Sequence, residues 1–169
     1  MSLPNPESLY ARLRDQIDKA FPDRSEIGLI GVHSGGAWIA ERLHRDLNFL
    51  QPCGFLDSAF YRDDFSERGL KEAPKPAEVP FDVNGRNVLL VDDVLYTGRT
   101  TRAIVNHLFD FGRPAKIELA VLLDRGGREL PIDAQYVGMN WQLKPNEAFV
   151  LTRDDQGAFR LDLEVNPSA

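Results

Sequence analysis

Apolar positions along this chain follow first a helical and then a strand-like rhythm. Within residues 6–21, Leu9, Leu13, Ile17 and Phe21 recur every fourth residue, the single apolar stripe of a helix that Pro22 closes. Residues 26–32 form a short apolar run suited to a buried strand. That run passes through the glycine turn His33-Ser34-Gly35-Gly36 into a second helical pattern over 37–45. A second strand is expected over 54–61. Residues 62–80 then lose periodicity, are charged and carry Pro74, Pro76 and Pro80, the pattern of a flexible arm. Next come a strand over 87–91, a helix over 99–111 ended by Gly112, and a strand over 116–123. Strands alternating with helices predict an α/β fold with a doubly wound, mainly parallel sheet. Residues 134–137, 148–152 and 158–163 are short strand-like runs, the last two flanking the turn Asp154-Asp155-Gln156-Gly157. Short antiparallel strands are therefore expected at the C-terminal end.

The length of 169 residues, 43% of them hydrophobic, suffices for one core and is short for two, so a single domain over 1–169 is expected. Cys53 is the only cysteine, which excludes an internal disulfide, and no apolar run approaches the ~20 residues that span a bilayer. With no signal-peptide pattern at the start, a cytoplasmic, membrane-free protein is the expectation. A net charge of −6 argues against a chain whose main task is coating nucleic acid.

Candidate chemistry concentrates in the stretch 88–101, VLLVDDVLYTGRTT. Val88 to Val91 carry the chain through the core and deliver Asp92 and Asp93 at the carboxyl edge, where open α/β sheets bind ligands. Thr97-Gly98-Arg99-Thr100-Thr101 follows, combining a glycine turn, hydroxyls and the outward N–H groups of a helix start, which together make a phosphate cradle. Each half alone has an ordinary account: acid pairs at strand ends bind metals, and a T-G-x-T can simply cap a helix. Together they suit a ligand with diol hydroxyls for the acids and a phosphate for the loop, the layout of ribose 5-phosphate. Neither G-x-x-x-x-G-K-[ST] nor G-x-G-x-x-G occurs, which removes the P-loop and the dinucleotide turn.

This stretch, with HLFDFGRPAKIELAVLLDRGGRELPIDAQYVG after it and Tyr61-Arg62-Asp63-Asp64 before it, resembles the pyrimidine operon regulatory protein family. Members of that family are similar to type I phosphoribosyltransferases and have uracil phosphoribosyltransferase activity. The resemblance implies that Asp92 and Asp93 hold the ribose hydroxyls of phosphoribosyl pyrophosphate (PRPP). It also implies that Val94, Leu95, Tyr96, Thr97, Gly98, Arg99, Thr100 and Thr101 bind PRPP, with the 5′-phosphate at Thr97 to Thr101. His33, Ser34, Gly35 and Gly36 match the pyrophosphate loop, Arg62 belongs to the arm closing over the site, and Asp124, Arg125 and Arg128 flank the base. Mg²⁺ arrives chelated by the substrate, with no dedicated metal ligands.

Tyr96 stands where purine-using relatives typically carry an aspartate, which favours a pyrimidine; the resemblance implies uracil as that base and UMP as product. The turn His33-Ser34-Gly35-Gly36 departs from the Lys-Thr-Arg-Gly pattern of well-known members, so two cations are missing from it. Residues 139–144 also depart from the family's usual continuation. The resemblance further implies a homodimer and binding of pyrimidine operon leader RNA, for which Arg99, Arg102, Arg113, Lys116, Arg125 and Arg128 are candidate contacts. An alternative function is a nucleotide-sensing RNA-binding attenuation regulator with weak or no transferase activity. A purine or orotate transferase is opposed by Tyr96 together with the family-specific continuation after the loop.

Overall fold

The computed structural model describes residues 2–59 and 75–166. Helix α1 (Pro6–Ala20) starts where Asn5 accepts hydrogen bonds from the Glu7 and Ser8 amides and Pro6 presets the first turn. Its stripe of Leu9, Leu13 and Ile17 is fully buried, each worth roughly 1.5–3 kcal/mol of apolar burial. β1 (Gly28–Val32), α2 (Gly35–Leu47), β2 (Gly54–Leu56), β3 (Asn87–Leu95), α3 (Arg99–Leu108), β4 (Lys116–Asp124) and β5 (Tyr136–Asn140) follow. Strands β1 to β5 form one parallel sheet in the order β2-β1-β3-β4-β5. β6 (Glu147–Arg153) and β7 (Phe159–Val165) make a separate antiparallel hairpin.

Burial sorts the elements onto two faces. Leu29, Leu89, Val91, Ala120 and Leu122 look toward α1, α2 and the hairpin residues Phe149, Leu151, Phe159 and Leu161. Ile30, Val88, Leu90, Leu119 and Val121 look toward Ile104 and Leu108 of α3. Neighbouring strand residues alternate between the two cores, so both faces are covered and the central strands are apolar throughout. This is the doubly wound arrangement expected from the sequence.

Several boundaries differ. β2 stops at Leu56, well short of the expected 54–61. α3 ends at Leu108 and not at Phe111, because the chain tightens there: the amides of Asp110 and Phe111 donate to the carbonyls three residues back. The expected strand at 134–137 is displaced to Tyr136–Asn140 and pairs parallel with β4, extending the main sheet; only the last two runs are antiparallel. The Asp154–Gly157 turn forms as expected, with the Gly157 amide donating to Asp154 O at 3.0 Å. Of the expected arm at 62–80, residues 62–74 lie outside the described residues, Arg62 among them; Glu78 beyond it pairs antiparallel with Phe55. Among the described residues, no helix is long and apolar enough to cross a membrane.

Candidate functional site

The strand order reverses between β1 and β3, since β2 lies on one side of β1 while β3 and its successors lie on the other. A parallel sheet opens a crevice at the carboxyl ends of such a pair. Here the two strands are unequal in length. β1 pairs with β3 only as far as Gly31 opposite Val91, whereas β3 runs on beside β4 to Leu95 opposite Asp124. Asp92 and Asp93 are thus inside β3, not beyond its end, with a neighbouring strand on the β4 side alone. Asp92 is buried and Asp93 half-buried. The Asp92 carboxylate accepts the Asp93 amide at 2.8 Å, and the Asp93 carboxylate accepts the Val94 amide at the same distance.

The edge that β1 vacates is filled by the start of α2. Gly35 and Gly36 are the first two residues of that helix, a correction to the sequence reading, which placed them in the turn and began the helix at Ala37. A methyl group on Gly36 would overlap the Val91 carbonyl oxygen and stand 2.8 Å from Asp92 Cα; one on Gly35 would stand 2.5 Å from an Asp93 carboxylate oxygen. α2 thus begins in direct contact with the acid-bearing strand: at Gly36 the strand backbone leaves no room for a side chain, and at Gly35 a methyl would displace the Asp93 carboxylate. The turn proper is His33-Ser34, joined by a cis peptide. The helix N–H groups that follow it have no intrahelical partner and carry the positive end of the helix dipole. His33 is half-buried; burial, reinforced by the Lys75 ammonium, holds its imidazole below the ordinary histidine range despite the opposing pull of Asp57, Glu78 and Glu41, so it is neutral at pH 7.

After β3, Tyr96-Thr97-Gly98 turns the chain into α3. Gly98 has φ 94°, a left-handed conformation that glycine adopts without strain, and a Cβ there would also crowd Ile132. Thr97 Oγ1 accepts the Arg99 amide at 3.2 Å, while Thr97 O accepts the amides of Glu129 and Leu130. Thr101 is buried under the first turn. The loop after β4 closes over this segment. The Arg125 guanidinium lies 3.8 Å from the centre of the Tyr96 ring, and Gly127 abuts the same ring. A cation over an aromatic face contributes about 0.5–2 kcal/mol. Arg125 is buried, with its terminal nitrogens donating to Glu147 O at 2.6 Å and Lys144 O at 3.0 Å, so it ties the β6 entrance to the Tyr96 loop.

Arg128 grips both carboxylate oxygens of Asp124 and donates to Tyr96 O and Ile132 O. Burial pushes the Asp124 carboxyl up, but the hydrogen bonds from Arg128 and the Gly126 amide outweigh it and hold the carboxyl below its usual range. The folded value then lies below the unfolded one near about 3.9. Asp124 accordingly contributes stability that is complete above that value and is lost as pH falls through the folded one. Urea unfolding of Asp124→Asn from pH 7 to 3 should show lower stability at neutral pH and a shallower acid slope than wild type; identical slopes would contradict this.

The structure brings Asp92, Asp93, Val94 to Thr101, His33 to Gly36, and Asp124, Arg125 and Arg128 to one end of the sheet. It does not present the two arginines as free cations, because both are committed to contacts within the chain. Of the remaining cations considered for RNA, Arg99 pairs with Glu129 and Lys116 with Glu118. No sequence signal marks Lys75, whose ammonium lies 3.4 Å from Ser34 Oγ; it is 41 residues away and bracketed by prolines without periodicity. Cys53 is half-buried and its thiol is pushed up to about 12 by burial, as befits a packing residue. Among the described residues no cluster of three or more His, Cys, Asp or Glu side chains is arranged to hold a metal.

Comparison with known proteins bears on the family and the fold. The phosphoribosyl transferase domain model matches residues 3–153. The chain is 44% identical over 170 residues to the bifunctional protein PyrR of Nitrosococcus oceani, covering 95% of this chain and 96% of that one. It is 47% identical over 152 residues to the bifunctional protein PyrR of Ralstonia nicotianae, covering 90% and 86%. Among solved structures, a hypoxanthine phosphoribosyltransferase from Trypanosoma cruzi superposes with a TM-score of 0.68 at 22% identity over 98% of this chain and 95% of that chain. A hypoxanthine-guanine phosphoribosyltransferase from Bacillus anthracis gives 0.63 at 23% over 83% and 81%; at such identities the likeness shows the fold alone. The parallel sheet with its covering helices is the fold of the phosphoribosyltransferases, and the chain belongs to that family, in its bifunctional PyrR branch.

Proposed function

We propose that this chain transfers the phosphoribosyl group of PRPP to uracil, giving UMP and pyrophosphate. The observation that carries the reading is the meeting, at one strand-order reversal, of an acid pair, a helix start in contact with it, and a glycine-turned hydroxyl loop. Asp92 and Asp93 accept hydrogen bonds from the ribose hydroxyls. Thr97, Gly98, Arg99, Thr100 and Thr101, after Val94, Leu95 and Tyr96, enclose the 5′-phosphate with amides and hydroxyls. The pyrophosphate faces His33 to Gly36, where the first N–H groups of α2 supply donors. Mg²⁺ would enter with the substrate and would offset charge on the leaving pyrophosphate.

The bond from the anomeric carbon to pyrophosphate breaks, charge builds on the ribose ring, and a uracil nitrogen forms the new bond as its proton is lost. The protein's part is positioning and stabilisation of charge, with water excluded because hydrolysis competes. Asp124, Arg125 and Arg128 bound the base side: the two arginines hold the loop over Tyr96, and the base meets the surface they shape. Arg62 is assigned to the arm over the site. The acting unit is one domain over 1–169, as a homodimer in the cytoplasm.

Pyrophosphate release with PRPP and Mg²⁺ tests the assignment when uracil, orotate, adenine and hypoxanthine are compared. Release is expected with uracil and not with the purines; release with hypoxanthine alone would overturn it. Tyr96→Asp should lower use of uracil, since it also removes the ring under Arg125.

A second activity is favoured by the relatives being named bifunctional proteins. It would be nucleotide-dependent binding of a pyrimidine operon leader RNA, with Arg102 and Arg113 among the contacts. Gel shifts with and without UMP should then differ; equal mobility would contradict this reading.

A further inference from the structure

The geometry points to Lys75 as the cation on the pyrophosphate side of the pocket, standing in for the basic residues that the His33–Gly36 turn lacks. The inference rests on the PRPP reading of the site. The Lys75 ammonium lies 3.4 Å from Ser34 Oγ, and its side chain is exposed, so a bound anion can reach it. Its backbone is fixed where the chain returns to the sheet. The Lys75 amide donates to one Asp57 carboxylate oxygen at 2.9 Å, and the other oxygen of Asp57 accepts the Ala59 amide at 2.9 Å. Three residues on, Glu78 and Phe55 exchange amide-to-carbonyl bonds of 2.9 and 2.7 Å. Asp57 directly follows β2, β2 is the neighbour of β1, and the turn at His33 issues from β1, whose last bond to β2 runs from the His33 amide to Leu56 O at 2.9 Å. Lys75 therefore reaches Ser34 from a tether two hydrogen-bonded steps from the same turn.

Charge balance calls for such a residue. Pyrophosphate is a multivalent anion, the only titratable group in the turn is the neutral His33, and the ionic groups acting on His33 include three carboxylates, Asp57, Glu78 and Glu41, against Lys75 as the cation. An ammonium on a flexible stem is a point charge that follows a leaving group without demanding bidentate geometry. Nothing in the local sequence pairs Lys75 with the turn.

Calorimetry with the full-length protein tests this, using magnesium pyrophosphate and, separately, UMP, which has no pyrophosphate. Lys75→Ala should weaken pyrophosphate binding about ten- to hundredfold, the loss of one charged hydrogen bond, and leave UMP binding unchanged. Lys75→Arg should retain most of the affinity. As a readout independent of ligand, NMR titration of His33 should show its pKa rising in Lys75→Ala, because a cation beside the imidazole is gone. Undiminished pyrophosphate affinity in Lys75→Ala would overturn the inference, as would equal weakening of UMP and pyrophosphate. If wild type binds PRPP while the variant is unaffected, Lys75 alone is refuted; if wild type binds neither PRPP nor pyrophosphate, the pocket assignment falls with it.

Discussion

Asp92→Asn/Asp93→Asn should fold normally and lose phosphoribosyl transfer by about 10²–10⁴-fold. Each carboxylate is assigned a charge-assisted hydrogen bond from a ribose hydroxyl, and such bonds contribute about 1.5–3 kcal/mol apiece, so two together give losses of that order. Stability changes little because asparagine keeps an oxygen where the Asp93 and Val94 amides donate, both at 2.8 Å. Pyrophosphate release and thermal melting of the same preparations separate the two effects. Full activity in a stably folded double variant would remove the acid pair from the mechanism. A fall in melting temperature matching the loss of activity would make it structural.

Gly36→Ala should destabilise the fold by about 1–3 kcal/mol and abolish PRPP binding, although glycine to alanine inside a helix ordinarily stabilises by roughly 1 kcal/mol. The sign is decided by what the added methyl meets. At Gly36 it meets backbone, the Val91 carbonyl oxygen and Asp92 Cα, and the middle of a buried strand has no room to yield. The start of α2 must move outward, away from the acid pair. Gly35→Ala meets the Asp93 carboxylate instead, which rotates aside. That variant should keep its stability and lose affinity for PRPP. Urea midpoints and PRPP titrations of both variants check the contrast; a stabilised Gly36→Ala would show that α2 does not bear on β3.

The parts of the molecule visible in its sequence are those governed by local period and by short motifs. The stripe of α1 and the apolar runs of β1, β3 and β4 predict a covered parallel sheet, and 88–101 shows its loop through one glycine, three threonines and two acids in sequence. What escaped depends on neighbours remote in the chain. The glycine pair looks like a turn because glycine breaks helices, yet here it opens α2, with β3 so close that a methyl on Gly36 meets strand backbone. β3 itself continues through two charged residues because β4 supplies hydrogen bonds as far as Leu95. β5 joins the main sheet because the edge of β4 is open to it, which no period in 134–140 reveals. Arg125 and Arg128 look like free cations for a base or an RNA; burial and the carbonyls and carboxylates of other segments account for them instead.

The most direct test of the pocket is a crystal structure of the protein with magnesium and PRPP. The 5′-phosphate is expected on the amides and hydroxyls of Thr97 to Thr101, the ribose hydroxyls within hydrogen-bonding distance of Asp92 and Asp93, and the pyrophosphate against Ser34 to Gly36. PRPP bound elsewhere, or bound here with its pyrophosphate on the α3 side and its 5′-phosphate at α2, would contradict the account.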